Sequence, residues 1–254
     1  MAFLLNFLIG FLSGFFGGLL GIGGGIMIIP MLVKFRKLEQ KQAHGNSLLA
    51  QVFIGLTGAI TYALKGSIDL VASLLIAPAA MVTASFGAHY AHILPEWKLK
   101  RFFGGFIISV SVALLLQSYL VQQHLNAVFL IKFIVLLLIG AFTGFLSGMM
   151  GVGGAFIMIP AMALFLGLDQ HTAQGSALVV MVPVGFVGAL AHRRLGNVDA
   201  SLLPSLVPGL LIGAYMGGGL AHLLSGGTLR AIFTSLLVFT GIRYLMATPK
   251  RNRI

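Results

Sequence analysis

Residues 14–30 read Gly14-Phe15-Phe16-Gly17-Gly18-Leu19-Leu20-Gly21-Ile22-Gly23-Gly24-Gly25-Ile26-Met27-Ile28-Ile29-Pro30. The same pattern returns 130 positions later as Gly144-Phe145-Leu146-Ser147-Gly148-Met149-Met150-Gly151-Val152-Gly153-Gly154-Ala155-Phe156-Ile157-Met158-Ile159-Pro160. Counted from Gly10 and Gly140, nine of 21 aligned positions are identical: Gly10, Gly14, Phe15, Gly18, Gly21, Gly23, Gly24, Ile29 and Pro30 with their counterparts. A biased apolar composition gives about two such matches by chance. The same offset carries Asp69 to Asp199, Pro78 to Pro208, Gly87 to Gly217, His92 to His222 and Lys100 to Arg230. A one-residue slip near position 46 places Ser47 on Ser176. The chain reads as two homologous halves, 1–125 and 126–254, forming one unit of function.

The solvent of those halves follows from composition. The chain is 58% hydrophobic and only 8% charged, with a mean hydropathy of +1.03. Soluble domains carry about 25% charged residues, so too few charges remain to cover a water-facing surface. The apolar residues come in continuous runs, several of them long enough for a hydrocarbon core of about 30 Å. In lipid the backbone must satisfy itself, and unbroken rather than alternating apolarity selects helices over a barrel. The runs fall at 2–20, 22–33, 45–64, 70–94, 102–121, 127–150, 152–168, 174–192, 200–224 and 229–248, eight to ten helices in all. The first of them lacks a basic flank before it and is expected to be structural, not a cleaved signal. The absence of cysteine excludes disulfides, zinc–thiolate sites and thiol catalysis.

The net charge of +11 does not indicate nucleic acid, because the basic residues sit between apolar runs. Lys34, Arg36, Lys37 and Lys41 form one group; Lys98, Lys100 and Arg101 a second; Arg193 and Arg194 a third; Lys250, Arg251 and Arg253 a fourth. Lys and Arg favour the cytoplasmic side. With five helical segments per half, divided at the glycine clusters, all four groups fall on one face. Five is odd, so the halves are expected to be inverted, with both termini cytoplasmic in a bacterial inner membrane. The first helix pair of each half reads either as two spans or as a re-entrant hairpin; the parity is the same.

Inverted repeats whose helices break at matching glycines are a transporter signature. Backbone amides freed at a break are tolerated only against protein or a water-filled cavity, and a helix N-terminus suits an anion. Gly23, Gly24, Gly25, Gly153 and Gly154 are therefore candidate substrate-binding positions, weighed against plain close packing. Gly10, Gly14 and Gly18, with Gly140, Gly144 and Gly148, are spaced for helix packing. Asn46, Ser47, Gln51, Gln174 and Ser176 sit at the starts of the third segments, where they read as oxyanion ligands or as helix caps. Arg193 and Arg194 read as topology-setting charges or as a mouth that draws anions in. All five acids, Glu39, Asp69, Glu96, Asp169 and Asp199, lie at segment ends. With no acid in mid-span to relay protons, export driven by the membrane potential alone is the expected mechanism; the symmetry-related His92 and His222 are the possible proton relay. No cofactor or metal is expected.

At its doubled glycine segments, Gly14 to Pro30 and Gly144 to Pro160, the chain resembles the sulfite exporter TauE/SafE family. Gly45-Asn46-Ser47, its partner Gln174-Gly175-Ser176, and the turn Gly196-Asn197-Val198-Asp199 carry the resemblance further. It spans essentially the whole chain. It implies export of sulfite, a sulfonate or another organosulfur anion across the bacterial inner membrane. The lipid bilayer is the expected partner, and the sequence admits a homo-oligomer. The first cluster has Gly25 where the second has Ala155, so the two breaks need not be equivalent.

Other classes fit less well. Phe11-Leu12-Ser13-Gly14 and Phe145-Leu146-Ser147-Gly148 are like the Ser-Gly of an intramembrane protease but lack the glycine two residues before the serine, and no His-Glu-x-x-His is present. Gly21-x-Gly23 lacks the third glycine and the preceding strand of a dinucleotide site. The alternatives that stand are an anion channel, since broken helices also build pores, and a proton-coupled carrier of a different small carboxylate or sulfur anion.

Overall fold

The computed structural model describes residues 2–90, 96–116 and 129–248. Among them are ten α-helices: α1 (Ala2–Leu20), α2 (Gly25–Phe35), α3 (Gln40–Ala63), α4 (Leu70–Tyr90), α5 (Glu96–Leu116), α6 (Phe129–Met150), α7 (Ala155–Phe165), α8 (Gln170–Arg194), α9 (Leu203–Ala221) and α10 (Gly226–Leu245). A single 3-10 turn, Ala200–Leu202, leads into α9. Six helices, α1, α4, α6, α8, α9 and α10, are long and apolar enough to cross a membrane, and the protein is an all-α polytopic membrane protein. α2 and α7 have 11 residues each and reach about 16 Å, half of a hydrocarbon core of about 30 Å.

Helix boundaries depart from the apolar runs where polar residues are buried by protein. α3 and α8 begin at Gln40 and Gln170, ahead of the expected starts at 45 and 174. The acids do the capping. The Asp169 carboxylate accepts from the His171 and Thr172 amides, and Asp69 accepts from the Ala72 amide at the start of α4. Asn46, Ser47, Gln174 and Ser176 lie inside α3 and α8, so none caps its own helix.

The glycines spaced by four are packing positions. A Cβ on Gly10, Gly14 or Gly18 would strike the carbonyls of Leu206, Leu210 or Ala214 on α9. A Cβ on Gly140, Gly144 or Gly148 would strike those of Ile76, Ala80 or Ala84 on α4. α1 therefore runs parallel to α9, and α6 parallel to α4, with backbone against backbone. The pairs α3 with α8 and α5 with α10 are antiparallel. In α3 and α8, Gly45 meets Asn197 just beyond α8, and Gly58 meets Leu178. In α5 and α10, Gly104 meets Gly241 and Leu245. Helices at equivalent places in the two halves thus oppose each other, while α1–α9 and α4–α6 cross between the halves and interlock them.

These contacts correct the slip near residue 46. Gly45 packs on the Asn197 carbonyl and Gly175 on the Ser67 carbonyl; His44 lies on Gly151 and Gln174 on Gly21. All four correspondences keep the offset of 130. The equivalent of Ser47 is thus Ala177, that of Asn46 is Ser176, and that of Gln51 is Met181.

The basic groups within the described residues gather at one end. Lys34, Lys100 and Arg243 line one cavity. The Arg101 guanidinium donates to the Ala247 carbonyl at 2.9 Å. Arg193 and Arg194 end α8 beside the start of α3. α1 begins at this end and α2 returns to it.

Candidate functional site

Two glycine turns meet in the middle of the bundle. Gly21, Gly23 and Gly24 have φ of 68°, 67° and 71°, and Gly151 and Gly153 have 64° and 84°, a left-handed backbone that glycine adopts without steric cost. The turns touch where Gly25 lies on the Val152 carbonyl, a contact that leaves no room for a Cβ. This is the physical reason for the Gly25–Ala155 difference. The end of the Met181 side chain and the Gln51 side chain both pack against Gly23 and Gly153. The centre is therefore amide from one half and thioether from the other.

Polar side chains of α3 and α8 hold the turns. The Ser47 hydroxyl and the Gln51 amide both donate to the Gly151 carbonyl, at 2.7 and 2.8 Å. On the other turn the Tyr62 hydroxyl lies 3.0 Å from Gln174 Oε1 and 3.2 Å from the Gly18 carbonyl.

From the basic end a cavity of about 380 Å³ runs in to these turns. Its floor is Gly25, Ile26, Met150 and Val152; its walls carry Lys34, Gln40, His44, Lys100, Thr240, Arg243 and Tyr244. No acidic side chain of the described residues lines it. Gln40 Nε2 and His44 Nε2 lie 3.1 Å apart on the wall. Thr240 is buried, and its hydroxyl has no partner among the described residues. The Met27 and Ile28 amides bond to the Gly24 carbonyl, so the first amides of α2, at Gly25 and Ile26, are its unbonded donors at the cavity floor. A helix N-terminus there adds partial positive charge to three cations. The chamber is chemically matched to a small anion with room for an apolar part against Ile26, Ile29, Pro30 and Val33.

The sequence profile of the sulfite exporter TauE/SafE family matches residues 5–244. The chain belongs to that family. It is 28% identical over 218 residues to the probable membrane transporter protein YdhB of Bacillus subtilis, covering 84% of this chain and 89% of the relative. It is 24% identical over 256 residues to the probable membrane transporter protein YunE of the same organism, covering 89% and 91%. With the probable membrane transporter protein MJ0441 of Methanocaldococcus jannaschii it shares 30% over 186 residues, covering 70% and 67%. No solved structure matches the chain.

The positions that single out this TauE/SafE chain separate in the structure. Gly23, Gly153 and Gln51 converge at the centre, Gly25 lines the cavity floor, and Ser47 and Gln174 brace the turns. Gly24 faces the Ser13 carbonyl and Gly154 faces Thr143, each on its own first helix. Asn46 donates to the Gln42 carbonyl within α3, and Ser176 accepts from the Asp69 amide. Arg193 and Arg194 are exposed and outside the cavity lining. His222 belongs to a cluster at the opposite end. Its ring is 4.5 Å from Tyr62 and 5.2 Å from His171, and its Nε2 is 3.2 Å from the Ser67 hydroxyl. His92 lies outside the described residues. Sequence reasoning missed Lys34, His44, Lys100, Thr240 and Arg243 as one chamber. The one available signal was Arg243, a charge well inside the last apolar run.

Proposed function

We propose that this protein carries a small anion, sulfite, a sulfonate or another organosulfur anion, out across the cytoplasmic membrane, with the basic end cytoplasmic. The observation that carries the reading is the chamber walled by Lys34, Lys100 and Arg243, with no acid among its described lining residues, whose floor is the N-terminus of α2. An inside-negative potential expels a monovalent anion by about 2.3 kcal/mol per 100 mV, so a conduit collecting anions at the cytoplasmic end requires no carboxylate in its spans. The pairing of equivalent helices supports inverted repeats, 1–125 and 126–254, working by alternating access. Because α1–α9 and α4–α6 bind one half to the other, the moving bodies are mixed bundles. α1, α2, α3 and α9 move against α4, α6, α7 and α8, along the α3–α8 interface.

The test is thermal stabilisation of the purified protein by sulfite, sulfate, thiosulfate, taurine, sulfoacetate, acetate and chloride. A specific ligand stabilises by RT ln(1 + [L]/Kd), so the shift grows with concentration. A shift for sulfur oxyanions that is lost in Lys34→Gln/Arg243→Gln supports the site and the class. Shifts for cations or neutral solutes alone remove the anion reading. Saturable flux into vesicles separates a carrier from a channel, whose flux exceeds about 10³ per second.

A further inference from the structure

Three wall residues of the open chamber have counterparts at the other end of the molecule. The offset of 130 carries Gln40 to Gln170, His44 to Gln174 and Lys100 to Arg230. Each counterpart holds buried polar atoms without a partner among the described residues: Nε2 and Oε1 of Gln170, Nε2 of Gln174 and Nε of Arg230. Gln170 is 2% exposed and Gln174 wholly buried. Buried polar groups are bonded in the great majority of cases, and an orphaned one costs stability. Four such atoms on three residues, all at the mates of chamber-lining positions, are not explained by packing. We infer that Gln170, Gln174 and Arg230 line a second anion chamber, collapsed in this conformation, that opens at the end opposite the basic groups.

The surrounding contacts account for the collapse. α7 takes the place that α2 has at the open chamber, and its residues from Ala155 to Ala163 are all buried. The Tyr62 hydroxyl donates its one proton to Gln174 Oε1 at 3.0 Å, with the Gly18 carbonyl 3.2 Å away as the alternative acceptor. The Tyr62 ring packs on His222, which meets Ser67 after α3, while His171 reaches from α8 to the Ala221 carbonyl at 3.0 Å. This latch draws together the end of α3, the start of α8 and the end of α9. Opening it frees the two glutamine amides and the guanidinium as donors for an anion, without an acid among the three. Wall chemistry differs between the ends: a histidine and a glutamine in the open chamber, two glutamines in the closed one.

The inference rests on the anion-carrier reading for its ligand, but its first test needs no ligand. The chain has no cysteine, so single thiols report directly. Gln40→Cys and Gln170→Cys are labelled in sealed vesicles with a membrane-impermeant thiosulfonate applied to each face, against Leu223→Cys, which is 82% exposed at the latched end. Gln40→Cys is expected to react from the basic face and Gln170→Cys only slowly, from the other face. Adding Tyr62→Phe, or Ser67→Ala should that variant not fold, raises the Gln170→Cys rate about fivefold, as expected when a latch bond worth about 1 kcal/mol is lost, and lowers that of Gln40→Cys. A Gln170→Cys that stays unreactive in both unlatched backgrounds, or that reacts from the basic face, overturns the second chamber while leaving anion transport standing. For the ligand, Arg230→Gln is expected to raise the half-saturating sulfite concentration from the latched face severalfold and not from the basic face. Equal values on both faces in the variant and the parent overturn Arg230 as a ligand.

Discussion

Gly151 accepts two side-chain donors on one carbonyl, and this makes its stabilisation non-additive. Ser47→Ala or Gln51→Leu removes one donor and leaves the other in place at 2.8 or 2.7 Å. A neutral hydrogen bond contributes about 1 kcal/mol net, and about 0.6 kcal/mol on average between membrane helices, so each single variant costs about 1 kcal/mol. The double variant also orphans a buried carbonyl, which costs about 1–3 kcal/mol more. The expected total is about 3–5 kcal/mol, and the coupling about 1–3 kcal/mol. Neither substitution is foreign to the fold, because the equivalent positions on α8 are Ala177 and Met181. The assay is reversible unfolding in mixed micelles of the four proteins of the cycle. Strict additivity, with coupling below about 0.3 kcal/mol, would refute the shared-acceptor reasoning.

The other expectations follow from contacts described above. Gly14→Ala and Gly144→Ala set a methyl on an opposing carbonyl and are expected to cost about 2–3 kcal/mol by overpacking; Gly219→Ala, with open space around it, is neutral or stabilising by up to about 1 kcal/mol, all read by melting temperature. Lys34→Gln, Lys100→Gln and Arg243→Gln each weaken sulfite binding about three- to tenfold at low salt and less at high salt, whereas Arg193→Gln and Arg194→Gln change it by less than about twofold; titration calorimetry at two ionic strengths checks this. Burial pushes the Asp169 carboxyl up, but the Thr172 hydroxyl, the Thr172 and His171 amides and the His171 ring outweigh it and hold it below its usual value. Its contribution is therefore present above the ordinary carboxylate pKa of about 3.9 and is lost as pH falls through the lower folded value. Melting temperature against pH should drop in that acid window, and Asp169→Asn should flatten the drop.

What was legible in the sequence was what only glycine can do. A left-handed turn at Gly21 and Gly151, and a carbonyl packed where a Cβ would stand at Gly14 and Gly144, leave no other residue type, so both signals survive in the letters. The starts of α3 and α8 were less legible, because Gln40 and Gln170 look like loop residues until neighbouring helices cover them, Gln40 in part and Gln170 almost wholly. The chamber was hidden for a different reason. Lys34, Lys100 and Arg243 come from three helices far apart in the chain, and two of them carry the same charge that sidedness alone would require. The register near residue 46 misled because the Ser47–Ser176 match drew the eye from Ala43, Gly45 and Leu48, which match Ala173, Gly175 and Leu178 at the unchanged offset, the offset that the backbone contacts of Gly45 and Gly175 also keep.

The interlocked seams bear on ancestry. α1 finds its glycine-to-carbonyl partner only in α9, and α6 only in α4, so an isolated half would present a bare glycine stripe with nothing to receive it. A forerunner encoding one half alone would have needed a second copy to supply the missing helix. Severing the chain between the halves and expressing the pieces together should reassemble that ancient pair, while either piece alone should be degraded.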